Sequence, residues 1–584
     1  MTFPSPNPSL KNQRAAATLA RVPKHESPWI LGISASHNGG ACLLQGDEIV
    51  VAIQEERLSR IKRDRVYAAE TTACLAYCLD YTGIRPEDLD LVVLSVAGSA
   101  SDERNNILRN PLLKLELNEV ATCGIPHHLA HAVSAFATSG FKESAVLVVD
   151  GRGSPFEDLL PEEQGVVRNG LSDGAEIISL YAAAGSTLVP LEKHLVAQGN
   201  WLDMRPTGMP FFASLGGIFS SVAQQIFGDP AEAGKVMGLA PYGKRTISPD
   251  AFFSICDNEF RFKDIVPTMF GDDARWPAHK DEYSNLACSA QAALEKALVY
   301  LAQRLRSLCD SENLCYAGGV ALNSIANERL IRESDFPGIF ITPAAEDSGA
   351  AIGAAYYGFW QLTGQNTYRP MNHDACGRRY KPAEITAAID TAARVDFIKS
   401  QDVVGDAVEL LQEGKILGWF DGGSEMGPRA LGQRSIVCDP RRDDAKEILN
   451  SRIKRREDFR PFAPVVLLEE VQNWFEIDHQ NPASPFMLRI CKFREKKRSR
   501  VPAVVHIDNS GRLQTITQQE NGRFYELVRR FYEQTGVPML LNTSFNVRGE
   551  PIVETPEDAI RCLLSSGLDA CVFEDRIAFK CVRW

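Results

Sequence analysis

At 584 residues the chain exceeds what one ordinary hydrophobic core supports, so two or more domains are expected. Hydrophobic residues at 44% and charged residues at 24% give the balance of a water-soluble globular protein, and no run approaches the ~18 consecutive apolar residues of a membrane helix. A formal charge of −12 argues against a whole-protein nucleic-acid footprint, so any polyanion binding must be local.

In chain order, residues 1–28 carry Pro, Ser, Asn and scattered basic residues without a continuous apolar stretch. They read as a disordered tail and not as a secretory signal. From Trp29 the pattern is strand, turn, strand, strand: WILGISA, SHNGG, ACLLQ, GDE and IVVAIQEE. A helix closed by Gly83 follows, and then the strand LDLVVLSV. A second unit opens in the same manner with SAVLVVDGRG and EIISLYAAAG. The strand LCYAGGVAL leads into a helix from Asn323, and IFITPAAEDSGAAIGAAYYGFW is a strand running into a helix rich in small residues. Two such openings, each followed by helices, predict a duplicated α/β architecture of the actin/hexokinase/acetate-kinase type. The polar, turn-rich interval 365–381 marks the expected domain boundary, giving domains 29–370 and 371–584, the second again α/β. Fourteen cysteines scattered through apolar stretches, none in a CxxC pair, read as reduced thiols of a cytoplasmic protein.

The first chemical signal is IPHHLAHAVSAF. A helix beginning near His127 puts His127 and His131 at i and i+4 on one face, able to share a cation. Histidines that only cap or pack a helix would show the same spacing. Asp150, ending a buried strand, and Asp347, in a turn before a helix, stand where α/β proteins form ligand sites. Such a set suits Fe(II), Mn(II), Zn(II) or Mg(II). Three glycine-rich turns, AGGVALNSIAN, EDSGAAIGAA and EAGKVMGLAPYG with Lys235, are each weak alone but together favour a nucleotide; no Walker loop is present. In the second domain, Arg429 in GPRALG and Arg460 in FRPFAP sit among apolar residues. A pocket for a compact anion is expected there. The interval 441–460, with eight Lys/Arg against five Asp/Glu, reads from charge alone as a solvated helix face.

The segments HHLAHA, VVDGRG, EAGKVMGLAPYG, GGVALN, EDSGAAIGAA, EMGPRALGQRSI, FRPFAP and NTSFNVRGEPIV, in this order, resemble the NodU/CmcH/TobZ family of ATP-dependent O-carbamoyltransferases. The resemblance implies an actin/hexokinase/acetate-kinase-like N-terminal domain similar to the enzyme of tRNA threonylcarbamoyladenosine synthesis, and a YrdC-like C-terminal domain. It implies that carbamoyl phosphate is broken down to carbamate and that ATP activates this to carbamoyl adenylate. The carbamoyl group then passes to a hydroxyl of a small molecule, a secondary metabolite such as an antibiotic or toxin. By the same resemblance the metal ligands are His127, His131, Asp150 and Asp347, with Fe(II) favoured and Mg(II) or Mn(II) as alternatives. His37 and His131 are the catalytic histidines, and His37 lies near the acceptor. The family pairs this histidine with Asp; here Asn38 follows it. Carbamoyl phosphate falls to Lys454, Arg460, Met487, Arg512, Ser544 and Asn546, and the adenylate to Gly318, Gly319, Asn323 and Lys235. Neither nucleic acid nor membrane is an expected partner, and a homodimer is left open. The alternatives are a small-molecule kinase of the actin-like superfold and a threonylcarbamoyl-type tRNA-modifying enzyme.

Overall fold

The computed structural model describes residues 23–66, 72–97, 120–168, 170–197, 213–263, 265–266, 274–477 and 481–581. Most of the expected tail lies outside the described residues. Its final stretch is tied down: Lys24 Nζ donates to Leu89 O at 2.9 Å, and His25 Nδ1 lies 2.9 Å from Asp90 Oδ2. The chain divides into two compact units, Met1–Ser59 with Arg63–Met371, and Arg60–Lys62 with Asn372–Trp584. The three-residue excursion is held in the second unit by Arg60, which donates to the carbonyls of Pro551 and Ile552 at 2.9 and 2.8 Å.

The first unit repeats one topology. Strands β1 (Trp29–Ser34), β2 (Gly40–Gln45) and β3 (Glu48–Gln54) form an antiparallel meander, and β4 (Leu91–Ser95) and β5 (Thr122–Ile125) add in parallel beside β1. The order is β3-β2-β1-β4-β5. Strands β6 (Glu143–Val149), β7 (Gly174–Ala184) and β8 (Thr187–Ala197) form a second meander. After the hairpin β9 (Phe253–Cys256) and β10 (Glu259–Phe262) and the helix Lys280–Leu308, β11 (Asn313–Ala317) and β12 (Gly338–Ile341) extend it in parallel. Its order, β12-β11-β6-β7-β8, is the first sheet's order over again. This duplicated α/β arrangement is that of the actin/hexokinase superfold. The wholly buried patterns of LVVLS in β4 and of β6 after Glu143 follow from sheets covered on both faces.

One close approach decides where the side chains of interest meet. The helix Gly349–Thr363 lies against the helix His127–Ala137, and a Cβ at Gly353 would stand 1.8 Å from Ala130 O and 2.9 Å from Ser134 N. The backbones can pack this closely only because residue 353 has no side chain. Gly353→Ala is expected to destabilise the unit by about 3 kcal/mol or more, because both helices must part. Urea unfolding checks this, and a midpoint equal to wild type would refute it.

The second unit is built on a mixed ten-stranded sheet, β13-β22-β21-β14-β15-β20-β16-β19-β18-β17. Its strands are β13 (Val395–Lys399), β14 (Leu417–Phe420), β15 (Arg434–Cys438), β16 (Ala463–Leu467), β17 (Phe475–Glu476), β18 (Arg489–Phe493), β19 (Ser510–Ile516), β20 (Met539–Ser544), β21 (Ala570–Val572) and β22 (Arg576–Lys580). Parallel pairing of β16 with β19, and antiparallel pairing of β20 with both β15 and β16, bring four strand ends to one edge. These are the starts of β15, β16 and β19 and the end of β20. All fourteen cysteines are free thiols. No helix among the described residues is long and apolar enough to cross a membrane.

Candidate metal centre and anion pocket

In the first unit the HHLAHA segment starts a helix at His127, so His127 and His131 share a face as their spacing predicts. Asp150 follows β6, and Asp347 stands just before the helix whose Gly353 rides on Ala130. Donor atoms of His127, His131, Asp150 and Asp347 lie within 4.8 Å of one another, and all four residues are buried. His127 Nε2 is 3.1 Å from His131 Nε2, 3.2 Å from Asp347 Oδ1 and 3.7 Å from Asp150 Oδ2. His131 Nε2 is 3.6 Å from the same Asp347 oxygen.

Two imidazole nitrogens facing each other cannot both present lone pairs at this range without repulsion unless a proton or cation lies between them. Their separation matches the about 3 Å between neighbouring ligands each about 2.1 Å from one ion. The donor set therefore fits a borderline divalent cation. Electrostatics favour positive charge as well. Burial opposes charge on His127, but Asp347 and Asp150 outweigh it and hold its pKa above the usual value. Asp347 stays ionised despite burial, held well below the carboxylate range by His37 and His127. His127 Nδ1 lies 3.3 Å from Ser95 Oγ, an outer contact of the kind that orients metal-bound imidazoles. His131 Nδ1 is buried with no hydrogen-bond partner among the described residues.

His37 Nδ1 lies 3.1 Å from Asp347 Oδ2, and its side chain is half exposed. Asn38 takes a left-handed φ of 55°, a conformation that Asn tolerates better than most residues. Gly318, at φ 95°, passes so close to β6 that a Cβ would meet Val149 O at 2.2 Å, and Gly319 N–H donates to Asp150 Oδ1 at 2.9 Å. The side chain of Asn323, expected to face a ligand, is spent locally. Its Oδ1 caps the helix Ser324–Glu333 by accepting from Ala326 N–H at 3.0 Å, and its amide pairs with that of Gln291. Lys235 stacks on Phe227 at 5.1 Å, with Glu232 Oε1 3.3 Å away; Met237 on the same short helix touches Ser324.

The second cluster forms at the sheet edge where β15, β16, β19 and β20 meet. A π-helical turn, Leu449–Ile453, delivers the buried Lys454. Its ammonium donates to Asn546 Oδ1 at 2.7 Å, Asn546 O at 3.0 Å, Ser544 Oγ at 3.2 Å and the Ser544 carbonyl. Thus Lys454, Ser544 and Asn546 come together. Burial, with Arg456 next, pushes the Lys454 pKa well down. Four guanidiniums crowd nearby. Burial and the charges of Arg429, Arg456 and Arg460 push Arg512 well down; burial and Arg460 push Arg429 to about 10. Burial and Arg460 also lower Arg456, to about 9. Arg512 Nε is buried without a hydrogen-bond acceptor among the described residues. Arg460 has Glu457 Oε2 3.9 Å away, and Met487 holds a left-handed φ of 56° just before β18. Like charges gathered this closely repel one another, and an anion placed among them would relieve that repulsion.

The solvated-face reading of 441–460 is thereby corrected at its C-terminal end. Arg441 and Arg442 do pair at the surface, with Asp439 and Asp444, but Lys454 is buried and Arg456 stacks on Phe462 at 4.6 Å. Arg456 was missed as a candidate, although its place between Lys454 and FRPFAP was a usable signal. Arg434, the first residue of β15, is structural: it clamps the carbonyls of Asp421 and Gly422 and lies 3.6 Å over Phe420.

The family profile described as Carbamoyltransferase N-terminus matches residues 29–116 and 106–356, and Carbamoyltransferase C-terminus matches 408–580. The chain belongs to the carbamoyltransferase family. It is an enzyme of the NodU/CmcH group. An uncharacterized protein of Synechocystis is 34% identical over 94% of this chain and 96% of its own length. The nodulation protein NolNO of Sinorhizobium fredii is 31% identical over 94% of this chain and 80% of its own. The 3'-hydroxymethylcephem-O-carbamoyltransferase of Streptomyces clavuligerus is 30% identical over 56% of this chain and 61% of its own.

Proposed function

We propose that this carbamoyltransferase draws on carbamoyl phosphate and ATP, by way of carbamoyl adenylate, to carbamoylate a hydroxyl of a small molecule. The observation that carries the reading is the pairing, in one chain, of a buried His–His–Asp–Asp cluster with a separate cluster of one Lys and four Arg. Carbamate is a poor acylating agent and must acquire a leaving group before a hydroxyl can attack it. A chain that first takes up a compact phosphorylated anion and later handles an adenylate needs two polar sites of different character.

In the Lys/Arg pocket, Lys454, Arg460 and Arg512 would bind the phosphate of carbamoyl phosphate, with Ser544, Asn546 and the Met487 turn facing the carbamoyl end. An incoming dianion relieves the repulsion among the guanidiniums and restores full charge to Lys454, so binding energy is concentrated on the phosphate. Water releases phosphate and leaves carbamate, whose oxygen then attacks the α-phosphorus of ATP and displaces pyrophosphate. The turn at Gly318 and Gly319 lets backbone approach the adenylate closely, while Asn323 fixes that turn through its cap. A divalent ion held by His127, His131, Asp150 and Asp347, for which Fe(II), Mn(II) or Mg(II) would serve, supplies charge compensation at the adenylate phosphate.

The acceptor proton is assigned to His37. With Nδ1 directed at Asp347, its Nε2 is the atom left to take a proton from an attacking hydroxyl. Asp347 raises the His37 pKa, which holds the imidazole protonated and unable to act as a base. Positive charge beside Asp347 cancels that effect, so His37 becomes a base only when the cluster's charge is compensated. The test is carbamoyl-phosphate-dependent exchange of labelled pyrophosphate into ATP. Exchange is expected without any acceptor present. ADP release in place of AMP and pyrophosphate would point to a kinase and overturn the reading.

A further inference from the structure

Beneath the His/Asp cluster lies a second buried group of charges that the mechanism above does not use. Glu176 and Lys193, on neighbouring strands β7 and β8, are fully enclosed, and Lys193 Nζ is 2.5 Å from Glu176 Oε2. Lys193 also donates to Ser179 Oγ at 3.0 Å, and its ammonium lies 3.1 Å from Glu163 Oε1. A buried ion pair of this kind contributes little net stability, since apolar replacements of equal volume are often neutral or better. Its presence calls for another explanation.

The other oxygen of Glu176 supplies one. The helix carrying His127 and His131 has Pro126 at its N-cap position and no side-chain cap of its own. Its first N–H groups are satisfied from outside. Glu176 Oε1 accepts from His128 N–H at 2.8 Å and from Ser154 N–H at 3.1 Å, and Ser154 Oγ accepts from His127 N–H at 2.9 Å. A carboxylate here also complements the positive end of the helix dipole. The same stretch of β7 holds Asp150, whose N–H donates to Ile177 O at 3.1 Å. The helix end that carries His127 and His131 is therefore tied to Glu176 directly at His128 N–H and, through Ser154, at His127 N–H. Lys193 completes the arrangement through Ser179, whose hydroxyl accepts from its ammonium and lies 2.8 Å from His128 Nδ1.

We propose that Glu176, charge-balanced by Lys193, is a positioning residue that presets the His127–His131 geometry for a cation by capping the metal-binding helix from β7. The inference rests on the metal-binding reading above. It is tested on the full chain by Co(II) titration, followed by calorimetry and visible absorption, with unfolding midpoints recorded alongside. Glu176→Ala is expected to weaken Co(II) binding 10- to 100-fold, as loss of outer contacts does in metal sites. The double variant Glu176→Gln/Lys193→Met keeps the amide oxygen for both N–H groups and removes both charges of the pair together, with Glu163 still held by the Tyr181 hydroxyl at 2.8 Å. It is expected to bind Co(II) within about threefold of wild type, a loss smaller than that of one hydrogen bond, with a wild-type spectrum. Equal affinity for wild type and a folded Glu176→Ala overturns the proposal, as does a double variant as weak as Glu176→Ala. If Glu176→Ala does not fold, Ser154→Ala decides, with about 3- to 10-fold weaker binding expected for one lost hydrogen bond and no change overturning the proposal. A wild-type chain that binds no Co(II) overturns the metal reading, and this one with it.

Discussion

Replacing His131 with alanine is expected to reduce carbamoyl transfer to the acceptor on the order of 100-fold or more, while breakdown of carbamoyl phosphate stays within about twofold of wild type. The substitution takes away one of two facing Nε2 atoms and leaves His127 alone with two carboxylates. It also removes no backbone contact, because position 131 lies inside a helix whose end is held at residues 127 and 128. The Lys/Arg pocket is composed of other residues in another unit, so the first half-reaction has no reason to change. Product formation and phosphate release, followed in parallel, separate the two steps. Transfer near the wild-type rate would remove His131 from the assigned metal set.

Arg512→Ala is expected to do the reverse. Loss of one charged donor to a phosphate group should slow carbamoyl phosphate breakdown by about 10²- to 10³-fold. Transfer from carbamoyl adenylate supplied ready-made should persist. A second readout distinguishes binding from a role in folding. Arg512 sits among Arg429, Arg456 and Arg460, with its Nε buried and lacking an acceptor, so its charge works against the unliganded fold. The variant should therefore unfold at the same temperature as wild type or higher, whereas removing a structural arginine lowers it. Normal phosphate release by Arg512→Ala would refute the assignment.

Much of the first unit is legible in local pattern. The strand–turn–strand openings at Trp29 and Ser144 are visible because alternation and Gly/Asn punctuation are properties of neighbouring residues. So is the shared face of His127 and His131, which helical periodicity alone dictates. What no local pattern contains is the meeting of residues far apart in the chain. Asp347 reaches His127 across 220 positions because Gly353 lets one helix settle on Ala130, and a glycine among alanines gives no sign of the partner it will meet.

Charged residues were hardest to read, for a physical reason. Lys454 and Arg456 resemble a solvated run until the sheet edge closes over them, and Asn323 resembles a ligand group until Gln291 and a helix N-terminus take up its amide. Glu176 and Lys193 stand in strands where charge would ordinarily mark the solvent face. The family, the duplicated strand pattern and the residues available for chemistry depend on residue identity and short-range periodicity, and so can be read along the chain. Which charges are buried and what each one faces depend on long-range packing, which no stretch of neighbouring residues contains.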